Sequence, residues 1–303
     1  MWLELQIFGF RALWSPYFLS FLIILGLLYY LITGPYRHKF GGAEAGSPTV
    51  AQHTSFYLGL VLLYAVKGAP VDLLSHIMLT AHMTQMAIYL LLVPILLIKG
   101  IPKWLWEKFA ELPVVKQILN VFTNPIVSLL FFNGLFSFYH VPFVFDFSKA
   151  TPIAHATISL ILFTAAFLMW FSIIPPLEKY NRLSPLQRIF TIFINGILIT
   201  PACVLIIFAG NPLYTAYTSE GSWLTALSIC VPGDVLDGIY TELSGPEMFS
   251  PLKLIHDQQL GGIIMKSVQE LIYGIIMAKT FFSWFNKEKL KVDPKISPAG
   301  DVK

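Results

Sequence analysis

Charged residues are scarce in this sequence. Aspartate, glutamate, lysine and arginine make up 12% of the 303 residues, whereas 56% are hydrophobic, and the mean hydropathy is +0.69. Soluble domains carry about a quarter charged residues, so most of this surface is expected to face membrane lipid. No polar stretch is long enough to bury a core of its own, which argues against a separate water-soluble domain. Because the net charge is only +3 and the basic residues are scattered, nucleic acid is not an expected partner.

Cysteine is almost absent, since the chain holds only Cys203 and Cys230. Two cysteines exclude a disulfide framework, and their separation excludes a CxxC metal or redox motif. A single disulfide at the outer surface stays open, but small buried apolar residues are the favoured interpretation. The sequence also lacks a nucleophile elbow, a phosphate loop, an HExxH motif and paired carboxylates, so we predict no enzymatic activity.

Long apolar runs, by contrast, are abundant. A helix that crosses a bilayer needs about 20 mainly apolar residues, and proline and glycine mark the junctions between such runs. The sequence therefore predicts an all-α fold, a polytopic membrane helix bundle of about seven transmembrane helices that forms one domain over residues 1–286. The predicted spans are Tyr17–Thr33, Ser55–Val66, Leu73–Ile98, Pro125–His140, Ile153–Ile174, Arg188–Ala209 and Leu260–Phe285.

Lysine and arginine alternate along the connections between these spans. They are frequent after the first, third, fifth and seventh spans and rare in the other connections, which hold only Lys67, Lys149 and Lys253, with Arg11 before the first span. Basic residues are retained on the cytoplasmic side. The N-terminus is therefore predicted outside and the C-terminus in the cytoplasm. Residues 211–257 should form an external loop that caps the bundle, and residues 287–303 a disordered cytoplasmic tail.

Histidine is concentrated at one level of the predicted bundle. Five of the seven histidines come from four spans or their ends, all in the predicted outer half: His76, His82, His140, His155 and His256. A single histidine in a span is more often a hydrogen-bonded packing residue than a ligand. Ionisable groups at membrane depth are costly, however, and usually face the interior along a functional path. The convergence of five histidines favours a shared site.

The third predicted span adds thioether groups to these imidazoles. In one continuous helix, Met78, His82 and Met86 share one stripe, and His76 and Met83 share a second. Imidazole and thioether suit copper, and thioether favours the cuprous ion, Cu(I). Histidines alone do not distinguish copper from heme. The candidate metal ligands are His76, His82, His140, His155, His256, Met83 and Met86.

The seventh predicted span carries an unusual charged pair. Lys266 and Glu270 are four residues apart, so they can pair on one helix face. A self-neutralising pair that faces a polar interior is favoured over a proton or ligand pathway. Earlier in the same span, Gly261 and Gly262 would allow another backbone to approach closely.

Several stretches of the chain resemble the CtaG family of membrane proteins, which are required to assemble cytochrome c oxidase of the caa type. The similarity covers nearly the whole chain. It is carried by Phe8–Pro16, Pro70–His76, His82–Gln85, Leu96–Gly100, Tyr139–Pro142 with Asp146, Pro212–Tyr214 and Asp257–Met265. Two positions depart from the pattern of many relatives, because Met86 and Ser159 stand where those relatives have histidine.

The resemblance implies a membrane assembly factor of the bacterial cytoplasmic membrane that acts on cytochrome c oxidase subunits, with copper as its cargo. An extracytoplasmic copper chaperone is a further expected partner. His76, His82, His140 and His155 match the family and are the ligands that the resemblance implies. Two alternatives stay open from the sequence, a transmembrane b-type heme protein and a copper permease.

Overall fold

The computed structural model describes residues 2–43, 45–239, 243 and 245–292, and its regular structure there is entirely helical. Five helices are long and apolar enough to cross a membrane, and two bent helix pairs raise the number to seven. Both the all-α prediction and the predicted number of spans are therefore confirmed. The direction of the chain through the membrane stays a prediction.

The crossings lie close to the positions that the sequence predicts. In chain order, their helices are α1 (Pro16–Thr33), α2 (Val50–Lys67), α3 (Pro70–Ile77), α4 (Leu79–Ala87), α5 (Val93–Gly100), α6 (Pro113–Phe122), α7 (Pro125–Tyr139), α8 (Pro142–Ser148), α9 (Pro152–Ile173), α10 (Pro185–Ile207) and α11 (Leu254–Val292). Shorter helices are Trp2–Leu5, Gly9–Trp14, Arg37–Gly41, Lys103–Glu111, Thr215–Thr218, Glu220–Leu227 and Gly233–Ile239. Helix α11 continues past residue 286, and residues 293–303 of the predicted tail lie outside the described residues.

Local sequence explains where these helices begin. Proline occupies the first turn of α3, α7, α9 and α10, where its missing N–H costs nothing. Helices α2 and α10 start with capping boxes, formed by Thr49 with Gln52 and by Ser184 with Gln187. In each box the two side chains satisfy backbone N–H groups that have no partner within the helix.

The third predicted span is interrupted, so the single helix from Leu73 to Ile98 is wrong. Met78 has extended backbone angles, φ −137° and ψ 144°, and separates α3 from α4. Helix α3 instead follows α2 at a bend of 40°. The stripe of Met78 with His82 and the stripe of His76 with Met83 are therefore wrong too, because each required one unbroken helix. A π-helical turn, Ile88–Leu92, joins α4 to α5.

Helix α11 supplies the reason for this break. The Asp257 carboxylate accepts hydrogen bonds from the backbone N–H of Leu79 at 2.7 Å and of Thr80 at 3.4 Å, which are the first residues of α4. A carboxylate at a helix N-terminus satisfies free N–H groups and complements the helix dipole. The expected close approach is present, because a Cβ on Gly261 would lie 3.0 Å from the Leu79 carbonyl oxygen.

The two ends of the bundle differ in composition. One end, which we call the histidine end, contains the N-terminal ends of α1, α4, α9 and α11 and the described residues of the segment 208–253. At the opposite end, the lysine end, lie the short helices Arg37–Gly41 and Lys103–Glu111. The sequence predicts the histidine end to face outward. Residues of the 208–253 segment, including Trp223 and Phe249, pack against Phe8 and Leu73 in a hydrophobic cluster of their own, so this segment covers α3.

The charged pair on α11 forms as the sequence predicts. Lys266 Nζ lies 2.7 Å from a Glu270 carboxylate oxygen. It also donates to the Gly196 carbonyl oxygen, to Thr200 Oγ1 and to Gln269 Oε1, at 2.8–3.1 Å. The ammonium group therefore holds α11 to α10. Glu270 itself is exposed, so the pairing is confirmed but the expectation that the pair faces a polar interior is wrong.

Candidate metal site

Two histidines meet where α3 ends and α9 begins. The ring centroids of His76 and His155 are 5.0 Å apart. His76 is fully buried, whereas His155 is half-buried. The Nδ1 atom of His76 lies 3.4 Å from Lys149 Nζ, and its Nε2 atom is buried without a hydrogen-bond partner. These two residues form the first imidazole pair.

A second imidazole pair consists of His82 in α4 and His140 at the end of α7. Their ring centroids are 6.5 Å apart, and both residues are buried. His82 Nε2 lies 3.4 Å from the Tyr139 hydroxyl, and His140 Nδ1 donates to the Phe136 carbonyl oxygen at 2.7 Å. The remaining nitrogens, His82 Nδ1 and His140 Nε2, have no partner. A buried polar atom without a partner destabilises the folded state by about 1–3 kcal/mol. A ligand bound to that atom would remove this penalty.

Phe145 of α8 connects the two imidazole pairs. Its ring meets the His82 ring edge-on at a centroid distance of 5.0 Å, and the Lys149 ammonium lies 5.8 Å from its centre. Lys149 in turn contacts His76. The four imidazoles thus belong to one buried region of the histidine end rather than to separate lipid-facing surfaces.

Lys149 is an unexpected member of this region, because its position in the sequence predicts a residue of an external connection. It lies between α8 and α9, outside the spanning helices, and only 1% of its surface is exposed. Burial, with a further contribution from the Lys67 charge, lowers its pKa to about 7. Its ammonium donates to the Ser75 carbonyl oxygen at 3.3 Å. The first imidazole pair therefore has beside it a buried amine whose charged form is disfavoured.

The three other candidate ligands are placed less favourably. Met83 and Met86 are buried in the main hydrophobic core, and the Met83 Cγ atom lies 3.2 Å from where a Cβ on Gly261 would be. His256 is exposed at the start of α11. The structure thus brings four of the seven candidates into two adjacent pairs, and it gives the thioethers a packing role.

Two residues that are not among the predicted ligands, Asp72 and Cys230, lie beside His76. Ligand atoms of Asp72, His76 and Cys230 all lie within 4.8 Å of one another. Asp72 stands one helical turn before His76, a spacing that could have indicated a shared face. Cys230 gave no such signal, because it is 158 residues away from Asp72 along the chain. Cys203 and Cys230 are both free thiols, so the structure contains no disulfide between them.

Cys230 packs against the hydrophobic cluster that contains Phe8 and Trp223, but its thiol has a polar neighbour. Its thiol donates to Asp72 Oδ2 at 3.6 Å. Burial, together with the Asp72 charge, raises the pKa of the Cys230 thiol well above its usual range. Asp72 is held in turn by Gln85 Nε2, 2.7 Å from Oδ1, and by Lys67 Nζ, 3.5 Å from Oδ1.

A cavity of about 660 Å³ opens beside this cluster. Its lining includes Lys67, Asp72, His155 and Cys230, together with residues at the start of α1. The other three imidazoles are buried behind it and do not line it. The cavity therefore reaches one imidazole pair at its His155 member.

The donor set of this region fits a soft or borderline metal ion. Imidazole suits copper and several other transition metals, and a cysteine sulfur favours Cu(I) in particular. The three unpartnered imidazole nitrogens, on His76, His82 and His140, are the atoms that such an ion would satisfy. Imidazoles and a thiol buried together can therefore hold a cuprous ion.

Comparison with known protein families finds one that matches most of this chain. A family model described as cytochrome c oxidase caa3 assembly factor matches residues 27–287, which include every histidine discussed above. A search of curated proteins and a search of solved structures each found no significant match. Because the matched range covers most of the 303 residues, the chain belongs to the caa3 cytochrome c oxidase assembly factor family, CtaG.

Proposed function

We propose that this membrane protein matures caa3-type cytochrome c oxidase by carrying a cuprous ion in its two imidazole pairs. The observation that supports the proposal is the set of unpartnered nitrogens on His76, His82 and His140, buried at one end of the bundle. A protein without a ligand to bind gains nothing from leaving three buried imidazole atoms unpaired. The role is one of delivery, not catalysis.

The two imidazole pairs would have different roles in binding the ion. His82 and His140 would hold the ion by their free nitrogens. Metal–imidazole bonds are about 2 Å long, so a shared ion needs only small ring movements from a centroid separation of 6.5 Å. The Tyr139 hydroxyl beside His82 and the Phe136 carbonyl beside His140 orient the rings, as outer-shell hydrogen bonds do in metal sites. The first pair, nearer the cavity, would pass the ion inward or outward.

The proposed partners follow from the family and from this geometry. Copper would be exchanged at the histidine end, which the lysine pattern predicts to face outward from the bacterial cytoplasmic membrane. Cytochrome c oxidase subunits would receive the ion there, and an extracytoplasmic copper chaperone would supply it.

The alternatives have less support. A b-type heme needs a flat space between two facing imidazoles, yet the rings of Phe145 and Tyr139 lie 5.0 and 5.9 Å from His82. A permease needs a polar path to the lysine end, whereas the centre of the bundle contains buried apolar residues such as Leu90 and Trp170. A Soret band in the purified protein would favour heme, and copper uptake into vesicles would favour transport.

The proposal predicts a specific failure of oxidase maturation. A deletion strain should still make the oxidase subunits, but oxidase activity and copper content should fall several-fold. Wild-type protein should restore both, whereas His82→Ala and His76→Ala should not, although each variant should accumulate in the membrane. His38→Ala is the matched control, because His38 is exposed and far from the site along the chain. Normal copper content in the deletion strain would refute the proposal.

A further inference from the structure

The Asp72, His76 and Cys230 cluster, which we call the entry cluster, combines three different ligand types from two distant parts of the chain. Asp72 and His76 project from one side of α3, and Cys230 follows the short helix Glu220–Leu227. Their ligand atoms lie within 4.8 Å of one another. Bonds of about 2.0–2.3 Å to a common ion place ligand atoms somewhat under 4 Å apart, so small side-chain rotations would complete a site.

A second observation independently points to a ligand at this place. His76 Nε2 is buried and has no partner. The same cluster borders the open cavity of about 660 Å³, which Asp72 and Cys230 line. An unsatisfied imidazole beside a route from the surface is what an acceptor for an incoming ion requires.

We propose that the entry cluster is the first binding position of the cuprous ion, with Cys230 and His76 as its main ligands. This inference rests on the proposed function and adds to it a thiolate ligand and an order of transfer. The Cys230 S–H bond breaks and its proton leaves to water in the cavity, while a sulfur–copper bond forms. No electron is transferred.

The charges around the entry cluster suit a monovalent ion. The Cys230 thiolate and the Asp72 carboxylate together carry two negative charges. The Lys67 ammonium, 3.5 Å from Asp72, and one cuprous ion carry two positive charges. Gln85 and Lys67 hold Asp72 Oδ1, which leaves Oδ2 directed at the Cys230 sulfur. Asp72 therefore acts as a positioning residue for Cys230.

Transfer from the entry cluster leads to the imidazole pairs. The ring of His155 lies 5.0 Å from that of His76 and lines the same cavity. The Cys230 sulfur would bind the soft cuprous ion first, from the outer side. His76 belongs both to the entry cluster and to the first imidazole pair. The ion can therefore move between neighbouring ligands without being released.

The test uses the full-length protein purified in detergent and titrated with cuprous ion against a coloured chelator. Cys230→Ala should lower the affinity at least about tenfold and should abolish the copper–sulfur signal in X-ray absorption. The matched control is Cys203→Ala, which removes the buried thiol of α10 and should change neither quantity. Silver ion should also protect Cys230 from maleimide in the Cys203→Ala protein, a readout that requires no variant at position 230.

Three results would overturn the proposal for the entry cluster. The first is an unchanged affinity and sulfur signal in Cys230→Ala, and the second is displacement of bound cuprous ion by an equal concentration of zinc. Binding through nitrogen alone in the wild-type protein would also refute it, yet would leave the proposed function intact. Failure of the proposed function is recognised separately, by normal oxidase copper in the deletion strain.

Discussion

At the scale of single residues, the histidine end is unusual in the number of polar atoms buried without partners. His76, His82 and His140 each have one such nitrogen, and Lys149 is buried beside them. Packing alone would favour apolar replacements at these places, because buried unpaired polar groups destabilise a fold. In the proposed function, a bound ligand would satisfy these atoms.

Lys149 gives a prediction at this scale. Its pKa is lowered to about 7, so between about pH 7 and its ordinary value of 10.5 the unfolded chain binds more protons than the folded protein. Stability should therefore rise with pH across that window. Lys149→Met should remove this rise and increase the melting temperature at pH 7 by several degrees. Thermal unfolding in detergent at pH 7 and pH 9 measures both effects.

The control for this experiment is Lys253→Met, which changes an exposed lysine of the histidine end. It should leave the difference in melting temperature between the two pH values as in the wild-type protein. An equal pH dependence in Lys149→Met and wild type would show that the Lys149 ammonium is not disfavoured by burial.

At the scale of elements, the break at Met78 decides which side chains meet. In a continuous helix, the position of His76 relative to His82 would be fixed by the helix geometry. The break instead lets α3 follow α2 and places His76 against His155. Hydropathy could not predict it, because both halves are apolar and Met78 is an ordinary helix former. The cause, the Asp257 carboxylate, is 178 residues away from Leu79.

Asp257 gives the prediction at this scale. Replacing it by alanine leaves the N–H groups of Leu79 and Thr80 without an acceptor, a loss of about 0.5–2 kcal/mol for a helix cap. Asp257→Ala should therefore lower the melting temperature and reduce the copper affinity, because α4 carries His82. Asp257→Asn, which keeps one acceptor oxygen, should lie between alanine and wild type.

The neighbouring variant His256→Ala is the matched control, because His256 is exposed on the same turn of α11. It should change neither the melting temperature nor the copper affinity. A full loss of copper binding in His256→Ala would contradict the placement of this residue outside the site.

At the scale of the whole molecule, the sequence predicted the apolar helices that a bilayer requires. It did not predict features that depend on tertiary contacts between distant parts of the chain. Spans such as α1 and α9 were placed to within about a residue, because a helix in lipid must satisfy its backbone internally and show an apolar run. The meeting of histidines was predicted from their common depth. The position of Cys230 was not predicted, since its contact with Asp72 depends on how the described residues around Trp223 and Phe249 pack over α3.

The orientation of the molecule gives the last prediction. Basic residues are enriched at the lysine end, for example Lys103 and Lys108, and positive charge is retained in the cytoplasm. The histidine end should therefore face outward, where the entry cluster would meet its ion. A membrane-impermeant maleimide applied to intact cells should label Cys230 in the Cys203→Ala protein, because Cys230 lines the open cavity.

Tags inserted within residues 39–52 or added at the C-terminus test the opposite side of the membrane. Protease added to intact cells should cut only in residues 211–257 and should leave both tags in place. After the cells are broken, the C-terminal tag should become accessible, which shows that it was protected by the membrane. Cleavage of that tag in intact cells would reverse the orientation. The cavity beside Asp72 and Cys230 would then open to the cytoplasm, and copper would have to be supplied from there.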